Sequence, residues 1–473
     1  MSASAGGGAQ ERRDLMRRES ASGGPASASA RPPSGVRSAR IAWFSLAAAG
    51  ALACLAPAAS AEIVALVGGT VHTVSGPDIP NATLVIRDSL IAEVGPNLAP
   101  PPEARVISCA GKHIYPGFVS ANSVLGLTEV SSVRGTNDYA EIGDINPNIR
   151  AEVAINPESD LLPVARVNGV TSALVIPRGG AIAGTAALVN LDGWTYQDMT
   201  VRSPVALYVQ WPGMTATGDD QRRARDKAVE DIRKAFEDAR AYWKARAAEG
   251  AAGIPRHDRD VKWDAMGRAL RGEIAVMFRV SALNQIRAAL NFVDEMKLTR
   301  VIFLDGYDAW RVADELKRRN IAVITGGLLG PPARRGEPYD ARYTIPAKLH
   351  QAGVAFCISD GGGSFEAANA RNLPQHAAMA AAFGLPRDDA LKSVTLYPAQ
   401  ILGVGDRLGS IERGKQADLF VANGDPLEIT TEVEQVWIKG RAIPMESRQT
   451  RLFHKYDARP RGPHARRHVA AAP

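Results

Sequence analysis

Between about residue 115 and residue 404 the chain alternates short apolar runs with helical stretches, and on both sides of that region it carries only short β-like runs. This ordering constrains the fold more than any other feature. Strand-like runs occur at Tyr115–Val119, Thr171–Ile176, Ala186–Asn190, Ala206–Gln210, Ile274–Phe278, Val301–Leu304, Ala322–Thr325 and Val354–Ile358. Helical patterns such as Leu283–Met296 and Trp310–Arg318 separate the later ones. Strand–helix alternation argues for βα units, and eight such units make a closed parallel barrel. Residues 219–250 read as one long charged helix carrying Phe236, Tyr242 and Trp243, expected as a solvated insertion on the barrel rim.

The flanks differ. Ile63–Val67, Thr70–Val74, Thr83–Ile86, Ile91–Val94 and Val106–Cys109 are strand-like and have turn signals between them, including Gly68-Gly69, Pro77, Asn81, Asp88 and Gly95. Near the other end, Asp418–Val421 and Val433–Ile438 repeat the pattern. Neither flank closes a core alone. The expected fold is therefore α/β: a (β/α)8 TIM-like barrel at 115–404, with a β-sandwich domain split between 62–114 and 405–446.

Composition sets the remaining limits. The net charge of +6 sits in the two ends, since residues 1–61 hold seven arginines against three acids and residues 447–473 seven Lys/Arg against Asp457. The body between them is mildly acidic, and no basic stripe with interleaved aromatics marks a nucleic-acid partner. The basic tail, 447–473, reads as a solvated end. Residues 1–61 read as a targeting segment: Arg37 and Arg40 precede the apolar run Ile41–Ala56, and Ala59-Ser60-Ala61 fits a small-residue cleavage site. A periplasmic or secreted mature protein starting at Glu62 is the expectation. Cys54, Cys109 and Cys357 show no paired spacing for a thiolate zinc site.

Three motifs carry more. They are the junction GKHIYPGFV from Gly111 to Val119, TLYPAQILG from Thr395 to Gly403, and GSIERGKQADL from Gly409 to Leu419. With them the chain from about Glu62 to Arg441 resembles the amidohydrolase superfamily, especially its imidazolonepropionase-like members. The resemblance implies hydrolysis of carbon–nitrogen bonds such as cyclic amides or small peptides. It also implies divalent metal, zinc or iron, held by a strand-1 H-x-H pair, histidines after strands 5 and 6, and an aspartate after strand 8. This sequence departs there. In PGFVSANSV the family's D-x-H-x-H positions hold Ser120, Asn122 and Val124; strand 5 ends in Arg279 and strand 6 in Asp305; only Asp360 matches. The other histidines, His257, His350 and His376 among them, lie off the ligand positions, and His376 follows the strand-8 loop. Gly361-Gly362-Gly363-Ser364 is no nucleophile elbow or phosphate loop.

Two readings follow. One is a silent binding or scaffolding protein without metal or other cofactor, whose partner is a small-molecule ligand, a second copy or an active paralogue. The other is an active hydrolase with a non-standard site using Asp360 or Asp305, or one that takes a divalent metal after all. Asn122, Arg134, Arg279 and His376 are the ligand-binding candidates, Arg134 through the loop Glu129–Asn148 at the barrel mouth. Arg279 is expected to pair with Asp360, Asp305 or both in place of the metal. As a buried pair, its loss in Arg279→Met is expected to cost roughly 3–5 kcal/mol.

Overall fold

The computed structural model describes residues 62–251, 253, 256 and 258–459. The targeting segment 1–61, His257 and the tail beyond Arg459 lie outside the described residues. No helix among those described is long and apolar enough to cross a membrane.

Two eight-stranded sheets carry the fold. The first contains β1 (Ile63–Val71), β2 (Ile79–Arg87), β3 (Leu90–Pro96), β4 (Arg105–Ser108) and β5 (His113–Pro116). The two runs expected at Ile63–Val67 and Thr70–Val74 are one strand, bent at Gly68-Gly69. Its first half pairs with β4 and its last residues with β5. Gly68 sits at φ +84°, where a side chain is strained. The bend lets one sheet close over its own core of Leu66, Leu84, Ile86, Ile114 and Trp437.

The barrel sheet runs through β6 (Phe118–Ser123), β7 (Val170–Val175), β8 (Ile182–Asn190), β9 (Thr200–Gln210), β10 (Ala275–Val280), β11 (Val301–Asp305), β12 (Ala322–Thr325) and β13 (Phe356–Cys357), each hydrogen-bonded to the next. Between β13 and β6 the ring is bridged by one segment: Ile358 N–H donates to Ser393 O at 3.0 Å and Val119 N–H to Val394 O at 2.8 Å. The chain then returns to the first sheet as β14 (Leu419–Ala422), β15 (Val433–Ile438) and β16 (Arg441–Ile443). There β14 pairs antiparallel with β5, Tyr115 opposite Phe420, so segments some 300 residues apart share one sheet. Tyr115 and Pro116 therefore belong to this first sheet, and the barrel begins at Phe118.

The barrel is not uniformly parallel. β8 is antiparallel to both β7 and β9. The connections on either side, 176–181 and 191–199, are too short for the crossover that a parallel neighbour requires. The hairpin at 176–181 is pressed against the long loop before it: a Cβ at Gly180, which sits at φ +72°, would lie 2.7 Å from the Asp144 carbonyl. The helix Asp219–Ala248 is no solvated appendage. It lies in the connection from β9 to β10, ahead of a second helix at Val261–Leu270, and buries Ile232, Ala235, Phe236 and Ala239, with Phe236 edge-on to Phe292 at 5.4 Å.

Candidate functional site

Four successive barrel strands each deliver one polar side chain to a cavity of about 640 Å³ at their C-terminal ends, where barrels of this kind carry their chemistry. Arg279 comes from β10, Asp305 from the end of β11, Thr325 from the end of β12, and Asp360 from just beyond β13. His376 lines the same cavity.

Asp360 is 4% exposed. Its Oδ1 accepts a hydrogen bond from Ser120 Oγ at 2.8 Å, while Oδ2 is buried without a partner. Burial disfavours the charged form, and it pushes this carboxyl up to about 7 against the opposing Ser120 hydrogen bond. Thr325 Oγ1 beside it is also buried and unpartnered. His376 Nδ1 accepts from the Leu328 backbone N–H at 2.9 Å. Burial pulls its pKa down to about 4, so at neutral pH the ring is uncharged, with its proton on Nε2.

Arg279 Nε donates to Asp305 Oδ2 at 2.6 Å, at side-chain exposures of 47% and 21%. No ion pair joins Arg279 to Asp360 among the described residues. The pair expected in the barrel centre thus forms on its rim, open to water. Solvent screening then replaces the large cost of a buried pair: Arg279→Met is expected to lose no more than about 1 kcal/mol in denaturant unfolding. A loss of several kcal/mol would mean the pair acts as a buried one. Asp305 adopts φ +77°, an uncommon conformation for a non-glycine residue. Arg134 is exposed in a short 3-10 turn, Arg134–Thr136, and does not line the cavity.

A second cation at the barrel mouth, Arg178, was passed over by the sequence reading. It follows β7 in the turn Pro177-Arg178-Gly179-Gly180. Its Nη2 donates to Asn122 Oδ1 and its Nη1 to Tyr208 Oη at 3.0 Å. The guanidinium carbon lies 5.1 Å from the Tyr208 ring centroid, and Nε is buried without a partner. Gly362, two residues past Asp360, closes over this pair so tightly that a Cβ there would collide with Arg178 Nη2 and Asn122 Oδ1. Asn122 is buried, and it meets Arg178 outside the cavity. The available sign of this was an arginine set directly at a glycine hinge on the barrel mouth.

Comparison with known proteins places this geometry. A model of the amidohydrolase family matches residues 341–443. An amidohydrolase from Thermotoga maritima superimposes with a TM-score of 0.72 at 25% identity, over 80% of this chain and 99% of that one. The chain belongs to the amidohydrolase superfamily. Amidohydrolase tasK of Hapsidospora irregularis is 28% identical over 381 residues, 72% of this chain. N-acetylglucosamine-6-phosphate deacetylase of Haemophilus influenzae is 42% identical over 53 residues, 11% of this chain. The chain spans 37% of the length of the first and 14% of the second.

A metal of the kind the superfamily implies does not fit the residues present. Two of the ligand positions hold Asn122 and Val124, an amide and a hydrocarbon. A third holds Arg279, and the first is tied to a second guanidinium, Arg178. Among the described residues no three His, Cys, Asp or Glu side chains gather as a metal-binding set. One matching carboxylate, with an amide, a hydrocarbon and a guanidinium at other ligand positions, is a poor site for a divalent ion.

Proposed function

We propose that this amidohydrolase-superfamily chain binds a small molecule in the barrel-mouth cavity without a metal ion. It would act as a binding or scaffolding protein descended from hydrolases of carbon–nitrogen bonds. The observation that carries the reading is the Arg178 guanidinium fixed on Asn122, a cation bonded to one of the positions where the superfamily places a metal ligand. A like charge there opposes a divalent ion by Coulomb repulsion that the buried setting strengthens. The test is metal analysis of the purified full chain, followed by titration with cobalt. Substoichiometric metal and no cobalt absorption bands are expected. One tightly held transition metal per chain would overturn the reading.

A second reading, a metal-free hydrolase, is favoured by one specific feature. Asp360 combines an unpartnered Oδ2 with a carboxyl held near neutrality, which suits a general acid or base. Such catalysis alone contributes about 10²–10⁴-fold. If this reading holds, Asp360→Asn abolishes any amide hydrolysis while ligand binding persists. Asp305, already engaged by Arg279, is the weaker candidate for that role.

Export belongs to the same proposal and rests on Ala59-Ser60-Ala61; mass spectrometry of protein from its native host should find Glu62 at the N-terminus. An active relative is one partner proposed with this reading. A second copy of the chain remains the other partner proposed.

A further inference from the structure

A second concavity, of about 620 Å³, opens at the N-terminal ends of β11, β12 and β13, at the far end of the barrel from Asp360. Its apolar side is formed by Val354, Phe356, Tyr397 and Ile401, and its polar side includes Arg300. Arg300 does not stand alone. Gly403, just after the helix Leu396–Ile401, is crowded by Arg202 Nη1 and Arg300 Nη2 together, and a Cβ there would meet both. The two guanidiniums are therefore near neighbours.

Both bond mainly to backbone carbonyls. Arg202 Nη1 donates to the carbonyl oxygens of Leu402 and Gly403. Arg300 Nη1 reaches only the Glu273 carbonyl, at 3.5 Å. No ion pair involves either among the described residues. Other arginines of this chain are held by carboxylates, as Arg233 is by both Glu230 and Glu295. The nearby Arg268 leans on Glu273 at 3.4 Å and adds positive charge to the group. Burial, and then the charges of Arg300 and Arg268, lower the pKa of Arg202, while Asp406 offsets this in part. Two like charges held this close repel each other, and an oxyanion on Arg300 offsets that repulsion while gaining a charge-assisted fork.

We propose that this concavity is a second binding site, for a small organic anion. Its carboxylate or phosphate head would pair with Arg300 on the polar wall, Arg202 behind Gly403 would add positive charge without lining the concavity, and its apolar body would lie against Tyr397 and Phe356. The site is independent of the barrel-mouth reading, because it shares no residue with it. Barrels of this kind keep catalysis at the opposite face, so an anion bound here acts as an effector or stabiliser.

Calorimetric titration of the full chain with phenyl phosphate, 3-phenylpropanoate and benzyl alcohol tests it. At least one anion should bind saturably and the neutral alcohol should not; the stronger anion identifies the head group. Arg300→Gln should weaken binding about tenfold or more, the loss expected for a charge-assisted fork. Arg300→Lys, which keeps the charge but not the fork, should fall between. Arg342→Gln, in the barrel-mouth cavity, should leave binding unchanged. Binding of neither anion overturns the proposal. So does binding that survives Arg300→Gln, or that Arg342→Gln removes, since the anion would then sit in the mouth.

Discussion

Replacing Asp360 with Asn is expected to stabilise the chain at pH 8 by roughly 3–5 kcal/mol and to change little near pH 4. The folded carboxyl sits at about 7 against an ordinary 3.8, because it is buried with one hydrogen bond and an empty Oδ2. A raised folded pKa means that stability is fully present below pH 3.8 and is lost as pH rises through 7. Above that, the folded state must carry a buried, half-satisfied charge. Asparagine keeps an acceptor for Ser120 and carries no charge, so the loss disappears. His376 works in the opposite sense. Its folded pKa is about 4 against 6.5. From pH 6.5 down to 4 the unfolded chain takes up a proton that the buried ring refuses, and stability falls. In the wild type the two trends largely offset each other between pH 4 and 6.5. In Asp360→Asn only the histidine trend remains, so stability should climb across that range and then level off. Urea unfolding at pH 4, 6 and 8 separates the curves, and equal stability of both proteins at pH 8 would sink the idea. A group that costs the fold this much marks a position retained for something other than stability, which is why Asp360 stands at the centre of the proposed binding site.

The architecture was largely legible because it rests on local period and turn chemistry. Seven of the eight barrel strands lie on the expected apolar runs, while β6 shares only Phe118 and Val119 with its run Tyr115–Val119. The polarity of β8 was legible too, and was missed. A six-residue link at 176–181 holds no crossover helix, so the run Ala186–Asn190 had to reverse direction. The strand-8 aspartate followed from family motifs and lies in the cavity. What sequence could not give is depth. Arg279 and Asp305 do pair, but whether on a rim or in a centre depends on where β10 and β11 end relative to their neighbours. Arg178 was hidden for a similar reason. Nothing local to Pro177-Arg178-Gly179-Gly180 says that the turn folds inward over Tyr208 to meet Asn122, a residue 56 positions earlier.

A second buried aspartate gives the opposite expectation, and the contrast lies in its donors. Asp418 closes the motif GSIERGKQADL immediately before β14. Its Oδ2 accepts from Asn190 Nδ2 at 2.5 Å and from Gln416 Nε2 at 3.0 Å, and its Oδ1 from the Lys439 backbone N–H at 2.7 Å. Its backbone carbonyl accepts from Gly117 N–H at 2.9 Å, at the point where the chain passes from the first sheet to the barrel. Asn190 lies on barrel strand β8 and donates also to Ser172 at 3.1 Å on β7. One carboxylate thus ties both sheets together. Burial raises its pKa, with Lys439, Gln416 and Asn190 acting against that rise. Asp418→Ala leaves three buried donors facing a hole, and each unmet donor costs about 1–3 kcal/mol. Part of that sum is returned because a buried charge is also removed, so a net loss of roughly 3–5 kcal/mol is expected in urea unfolding at neutral pH. Asp418→Asn should recover only part of it, since an amide offers one acceptor and presents N–H groups to donors. Where Asp360→Asn gains stability, Asp418→Asn loses it, although the two substitutions are chemically identical. If both shifted stability in the same direction, hydrogen-bond satisfaction would not be what separates the structural aspartate of this fold from the one in its candidate site.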